Sequence, residues 1–328
     1  IHQGKSMKCG AFDSGLCIHP DGKATPCCQF NIDLAKNINE LDWNDPWADL
    51  RDGQGCEACK RTGPVYKDVY DSYINEQFAI RWLDVRNNNL CNMECIICNS
   101  YYSSKWADRL SYENKFVSTD FDVNLDNVEQ IYFAGGEPFL NKTHWKILDS
   151  IPNPERVGLV YSSNLTAVKG IEKYWPKFHN VFLNASLDGI GTFGEQVRPG
   201  LDWQRWQENF KKVLSYNNVN VEIACTVSIA NVWHLEEMKQ FADDNNVSIR
   251  FYRLDNPDYL SVGVLPTELK KQIKYIPNQE IQELLDQNQE HLFKHTVASI
   301  LLGDKLRGTN LWDYLPYKKW AIKNLLDY

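Results

Sequence analysis

The pattern of apolar and polar positions changes character near residue 79. From there, runs rich in Val, Ile, Leu and Phe recur at 79–85, 128–134, 157–164, 181–188, 221–229 and 247–255, short and β-branched enough to be strands. Between them, apolar residues at 203–216 and 233–243 are spaced three and four apart, as on one face of a helix. Alternating strands and helices predict an α/β fold with a parallel sheet and crossover helices. Period two then separates the faces of each strand. Val221, Ile223, Cys225, Val227 and Ile229 fall on one side of the fifth strand, and Glu222, Ala224, Thr226 and Ser228 on the other. Likewise Asn184, Ser186 and Asp188 oppose Val181, Leu183, Ala185 and Leu187, while Ser248, Arg250 and Tyr252 share one face. A closed structural barrel fills its centre with aliphatic side chains, so this polar inner face predicts a polar substrate. After 261 the alternation stops, and 267–276, 279–302 and 317–326 read as helices closing one end.

The chain has 328 residues, formal charge −8 and 11 Trp, enough for a substantial core. Basic residues are scattered, and the absence of a basic stripe predicts no nucleic-acid partner. No apolar run approaches the roughly 18 to 20 residues of a membrane helix, and residues 1–7 lack the apolar core of a secretory leader. The expectation is a cytoplasmic protein without a membrane partner. Its 10 cysteines, in CxxC and CxxxCxxC spacings and without an export signal, point to metal binding in a reducing compartment rather than to disulfides.

The candidate chemistry begins at Cys91, Cys95 and Cys98, a CxxxCxxC loop directly after the first of these strands. It offers a metal cluster three thiolates and no fourth. A 4Fe-4S cluster ordinarily takes four Cys ligands, so one iron is left open to bind a small molecule. Structural zinc is the alternative, but its sites close four positions with Cys or His, and no His lies in or just after this loop. The second strand runs into Gly135-Gly136-Glu137-Pro138, where paired glycines permit close approach of another backbone.

The triplet followed by GGEP at a strand end resembles the radical S-adenosylmethionine (radical SAM) superfamily. The resemblance implies a partial (β/α)6 barrel over 77–258, followed by a helical C-terminal extension over 259–328. It implies that the open iron is chelated by the amine and carboxylate of S-adenosyl-L-methionine, and that reductive cleavage yields a 5′-deoxyadenosyl radical that abstracts hydrogen. Gly135, Gly136, Glu137 and Pro138 would hold the methionyl ammonium. Ser162 and Asn164 end the third strand where relatives carry a Ser/Thr-rich or Thr-Asn-Gly segment near the cofactor, although Leu165 here replaces the usual glycine. Ser186 and Asp188 lie in a turn similar to the family's Ser-Leu-Asp-Gly. Arg198 resembles a downstream Arg that grips the methionyl carboxylate, a job suited to a bidentate guanidinium. Glu222 is a candidate catalytic group on the inner face.

Before the barrel, Cys9, Gly22, Cys27, Cys56 and Cys59 resemble the Cys-x(9–15)-Gly-x4-Cys and CxxC pattern of a Twitch auxiliary-cluster domain, here in an N-terminal domain spanning 7–76 rather than after the barrel. Cys9, Cys27, Cys56 and Cys59 would complete a second 4Fe-4S cluster, with a zinc ribbon as the alternative. Cys17 and Cys28 could replace Cys9 and Cys27, or act as catalytic hydrogen donors. Relatives of this kind imply a peptide or protein substrate, or else a small amino-sugar-like metabolite, modified by oxidation, cross-linking or epimerisation. They also imply an electron donor such as flavodoxin or ferredoxin. The reading of another class is a non-catalytic iron–sulfur electron carrier or zinc-binding module.

Overall fold

The computed structural model describes residues 9–51, 55–57, 59, 71–74, 76–111 and 117–326. Parts of the expected 7–76 domain, namely 7–8, 52–54, 58, 60–70 and 75, lie outside the described residues, as do 112–116 of the barrel and 327–328 of the extension. The fold is mixed α/β with a parallel sheet and helices. The described residues divide into two compact units, one drawn from 1–91, 113–162 and 169–182, the other from 92–112, 163–168 and 183–328.

In the first unit, β1 (Gly15–Ile18), β2 (Lys23–Thr25) and β3 (Lys36–Asn37) form an antiparallel meander. β1 also pairs in parallel with β4 (Trp82–Val85), which is followed in the sheet by β5 (Gln130–Phe133) and β6 (Gly158–Ser163). Residues of the expected N-terminal domain therefore continue the sheet of the expected barrel. Their strands are too short, and their burial too uniform, for a period-two signal: all four residues of β1 are buried. The register sets Leu16, Leu83, Ile131 and Leu159 in one buried row, with Cys17, Asp84, Tyr132 and Val160 as the next row on the opposite face.

The helix Lys142–Ser150 starts where Asn141 accepts the Thr143 N–H at 2.9 Å, and it buries His144 against β5 and β6. The His144 Nε2 lies 2.9 Å from the Tyr161 hydroxyl, and the ring meets Phe133 edge-on at 4.5 Å. Burial pulls the His144 pKa down to about 3, whereas an unfolded His titrates near 6.5. The unfolded chain therefore takes up the proton first. Stability from this neutral histidine is complete above about pH 6.5 and is lost as pH falls toward 3, by up to about 1.4 kcal/mol per pH unit. Denaturant titrations of the wild type and His144→Gln between about pH 6.5 and pH 5 should differ in slope by that amount. Parallel slopes would show that His144 is not the buried neutral group.

In the second unit, β8 (Val219–Val227) and β9 (Ser248–Arg253) are parallel, with Glu222 opposite Ser248 and Thr226 opposite Tyr252. β7 (Asn180–Ser186) continues into this unit, and Leu187 N–H donates to the Ala224 carbonyl at 3.0 Å. The helix Trp203–Leu214 begins at Asp202, whose carboxylate accepts the Arg205 N–H at 3.0 Å, and it buries Trp206, Phe210 and Val213 at helical spacing. Of the C-terminal segments, 279–302 is not one helix. It is Gln279–Leu285, a short 3-10 turn at Glu290–Leu292, and Phe293–Arg307. Gly263 N-terminal to them accepts the Gln289 N–H at 3.2 Å, a tie that periodicity does not register.

Candidate functional site

The GGEP turn explains its own composition. Gly135 has φ +101°, and a Cβ there would stand 3.0 Å from the Asn88 carbonyl oxygen; at Gly136 a Cβ would lie 2.2 Å from that of Leu90. Glu137 N–H donates to the same Leu90 carbonyl at 2.6 Å. The turn is thus pressed onto the segment that leads into Cys91, and no side chain fits between them. Glu137 is 1% exposed, and its carboxylate accepts the Phe139 N–H at 3.3 Å at the head of the turn Pro138–Leu140.

In the second unit, the rest of the cysteine loop runs beside residues 197–200. Glu94 N–H donates to Pro199 O at 2.8 Å and Ile96 N–H to Val197 O at 3.1 Å. Gly200, at φ +102°, would place a Cβ 2.7 Å from Asn92 O. Arg198 sits in this strip and donates from Nη1 to Asp188 Oδ2 at 2.8 Å, both side chains being deeply buried. Asp188 also accepts the Thr226 N–H at 2.8 Å, and its carbonyl accepts the Asn231 amide at 3.0 Å. Three ends are therefore pinned at one carboxylate: β7, β8 and the strip beside the loop. Burial raises the Cys95 thiol, Arg198 opposes that rise, and Asp188 adds to it, which places this ion pair within electrostatic reach of Cys95.

Asn164 supports the same loop. Its amide donates to Asn92 Oδ1 at 3.0 Å and its carbonyl accepts the Thr166 N–H at 3.0 Å. Leu165, in the place of the usual glycine, takes the left-handed conformation that a glycine would adopt freely, at φ +55°. Its side chain is fully buried, and burial of a Leu, about 1.5 to 3 kcal/mol, offsets the left-handed cost of about 1 to 2 kcal/mol.

The remaining expected residues are placed as follows. Ser162 Oγ lies 2.8 Å from the Tyr132 hydroxyl. Ser186 is half-buried at the end of β7, on the face opposite buried Ala185. Glu222 pairs with Arg250 Nε at 3.1 Å and accepts from Ser248 Oγ at 3.3 Å. It stands four residues before Thr226, roughly 13 Å down the strand at about 3.3 Å per residue. That is remote from the strand end where Asp188 is bonded, so the local geometry of Glu222 is that of an ion pair across two strands. Cys225 is fully buried on the opposite face.

In the first unit, the Cys27 thiol is raised by burial, by Cys28 and further by Cys59 and Cys9, so these sulfurs are neighbours. Cys56 follows Gly55, whose carbonyl accepts the Asn31 N–H at 2.9 Å and whose Cβ position is occupied by the Phe30 ring. Cys17 lies on β1, with Sγ 3.7 Å from His19 Nε2, and Cys28 and Cys27 also act on its thiol. Its thiol is raised by burial and by Asp84, with Arg86 opposing. Asp84 takes Arg86 in a two-point ion pair at 2.9 and 3.1 Å, and the guanidinium lies 5.4 Å from the Tyr132 ring centre. Asp84, Arg86 and Tyr132 escaped the sequence reading, although the parity of Asp84 between Leu83 and Val85 carried the signal.

No three His, Cys, Asp or Glu side chains among the described residues converge on a single ion position. A single ion needs its ligands to meet at one point, whereas a cubane takes each thiolate at a separate corner. Among the described residues no helix is long and apolar enough to cross a membrane.

No protein-family model matches the chain. It is 25% identical over 216 residues to the uncharacterized protein MJ0907 of Methanocaldococcus jannaschii, covering 63% of this chain and 71% of that one. Similar solved structures include anSMEcpe with bound AdoMet, at 16% identity and TM-score 0.43, covering 70% of this chain. They also include SuiB of Streptococcus suis bound to S-adenosylmethionine, at 13% identity and TM-score 0.41, covering 87% of this chain and 69% of that one. The chain spans 60% of the length of anSMEcpe.

Proposed function

We propose that this protein is a radical SAM enzyme. The observation that carries the reading is the GGEP turn, where glycines at 135 and 136 are demanded by backbone contact with the segment entering the cysteine triplet. Cys91, Cys95 and Cys98 would hold a 4Fe-4S cluster, and Gly135, Gly136, Glu137 and Pro138 would receive the ammonium of S-adenosylmethionine. The reduced cluster and cofactor together supply hydrogen abstraction from a C–H bond. The chain's own part is placement. Buried Glu137 offers a carboxylate to a cation, the Asn92–Asn164–Thr166 bonds hold the loop, and the Asp188–Arg198 pair ties it to β7 and β8. In this reading Arg198 acts chiefly through Asp188 and the loop, and the methionyl carboxylate is the further partner proposed for it. Ser162 and Ser186 would be cofactor-binding residues in this reading.

Cys9, Cys27, Cys56 and Cys59 would hold a second 4Fe-4S cluster, a reading supported by their spacing along the chain. The substrate we propose is a peptide or protein, met by the polar inner face of β7, β8 and β9, with a small amino-sugar-like metabolite as second choice. Reducing equivalents would come from flavodoxin or ferredoxin. The test is anaerobic: protein reconstituted with iron and sulfide, reduced with dithionite and given S-adenosylmethionine should release 5′-deoxyadenosine and methionine. Cluster-loaded protein that leaves the cofactor intact would remove the enzyme reading in favour of an electron carrier.

Four thiolates would leave a second cluster no open iron, so Cys56 and Cys59 would be needed only after cofactor cleavage. Replacing Cys56 and Cys59 with Ala should remove roughly four irons and keep 5′-deoxyadenosine formation within about twofold, while oxidised product is lost. Iron analysis and mass spectrometry of the product read the two effects separately. A double variant that cannot cleave the cofactor would contradict this division of labour.

A further inference from the structure

Within the second unit, the helix Phe293–Arg307 ends beside the cysteine loop. Arg109 Nη1 donates to Leu306 O at 2.8 Å. Beside the two segments lies an open cavity of about 320 Å³ lined in part by Ile96, Cys98, Trp106, Ile300 and Arg307. The Trp106 indole N–H donates to Cys95 O at 2.9 Å, and the Arg307 guanidinium lies 5.2 Å from the Trp106 ring centre. Arg307 is half-buried and its Nε is buried without a hydrogen-bond partner; the carboxylates of Asp304 and Glu94 act on it, but neither forms a salt bridge with it. A guanidinium has five donors, and leaving even the Nε donor unpaired away from water is costly. Arg198, the other cation near Cys95, is by contrast matched by Asp188.

The helix is also shaped for this guanidinium. Gly303 lies in its interior, where glycine costs roughly 0.5 to 1 kcal/mol relative to Ala. A Cβ at 303 would stand 2.7 Å from Arg307 Nη2 and 3.1 Å from its Cζ. Gly303 is the notch that lets the side chain fold back over its own helix toward Trp106 and the loop.

We propose that Arg307 is the charge partner of the cluster held by Cys91, Cys95 and Cys98, and that it raises that cluster's reduction potential. The proposal rests on the radical SAM reading. Three thiolates make a 4Fe-4S cluster anionic, and one-electron reduction adds a further negative charge. A fixed cation at close range favours the reduced state, because charge, hydrogen bonds and exposure set such potentials. Gly303 and Trp106 position the cation; Arg307 itself is a tuning residue and need not touch the substrate.

The experiment is an EPR-monitored redox titration of the full chain, reconstituted anaerobically and poised with dithionite-reduced mediators. The cluster in question is identified by the change of its signal on addition of S-adenosylmethionine. Arg307→Gln should lower the ratio of reduced to oxidised cluster about tenfold at a given potential, equivalent to 59 mV for one electron. Gly303→Ala, which keeps the arginine but fills its notch, should move the ratio in the same direction, and Arg307→Lys should restore most of the shift. Iron content must stay at the wild-type value in all three variants. Unchanged midpoints in Arg307→Gln and Gly303→Ala, or equal shifts in Arg307→Lys and Arg307→Gln, would overturn the proposal. If wild-type protein forms no signal that responds to S-adenosylmethionine, the underlying functional reading fails instead.

Discussion

Replacing Cys91, Cys95 and Cys98 together with Ala is expected to abolish 5′-deoxyadenosine formation and to remove roughly four irons per chain from a total of about eight. The cause is coordination: with the thiolates gone, no open iron remains to chelate the cofactor, and the four cysteines proposed for the other cluster offer no vacancy. The loop keeps its backbone anchors in the variant. Glu94 and Ile96 still donate to Pro199 and Val197, so the protein should remain folded and the loss should be one of chemistry. Anaerobic iron and sulfide analysis with chromatography of the nucleoside product measures both effects. Cofactor cleavage by the triple variant would mean that the reactive cluster lies elsewhere.

Asp188→Asn is expected to be the most destabilising single change in the second unit, by about 3 to 5 kcal/mol. The carboxylate is 1% exposed and faces the buried guanidinium of Arg198. Asn retains an acceptor for the Thr226 N–H but removes the charge that compensates Arg198. Because Arg198 lies in the strip bonded to the cysteine loop, the variant should also take up fewer irons at that loop. Adding Arg198→Met should recover part of the loss, since exchanging a buried pair for apolar groups is often neutral, and the double-mutant cycle gives the coupling. Equilibrium urea unfolding measures the stability change. A loss below about 1 kcal/mol, the range of an exposed pair, would show that the contact is not buried in solution.

Much of this site was legible because its signals are local. The strand preceding Cys91, the glycines of GGEP and the parity of β7, β8 and β9 are each contained within a few consecutive residues. The burial of Val221, Ile223, Cys225 and Val227, with Ala224 and Thr226 half-exposed, follows that parity. The meander of β1 to β3 was not legible, because strands of two to four residues are shorter than the window in which periodicity can be counted.

Sequence alone determined the α/β class, the order of strands and motifs, and which residue types could hold clusters, since these depend on side-chain period and ligand chemistry. Tertiary structure decided which charges meet. Arg198 belongs to Asp188, Glu222 to Arg250, and Arg86 to Asp84, while Arg307 lies over Trp106 from a helix about two hundred residues downstream. Such pairings arise from how buried surfaces pack and from the need to match a desolvated charge. Neither condition leaves a periodic mark along the chain, so only the folded structure records the outcome.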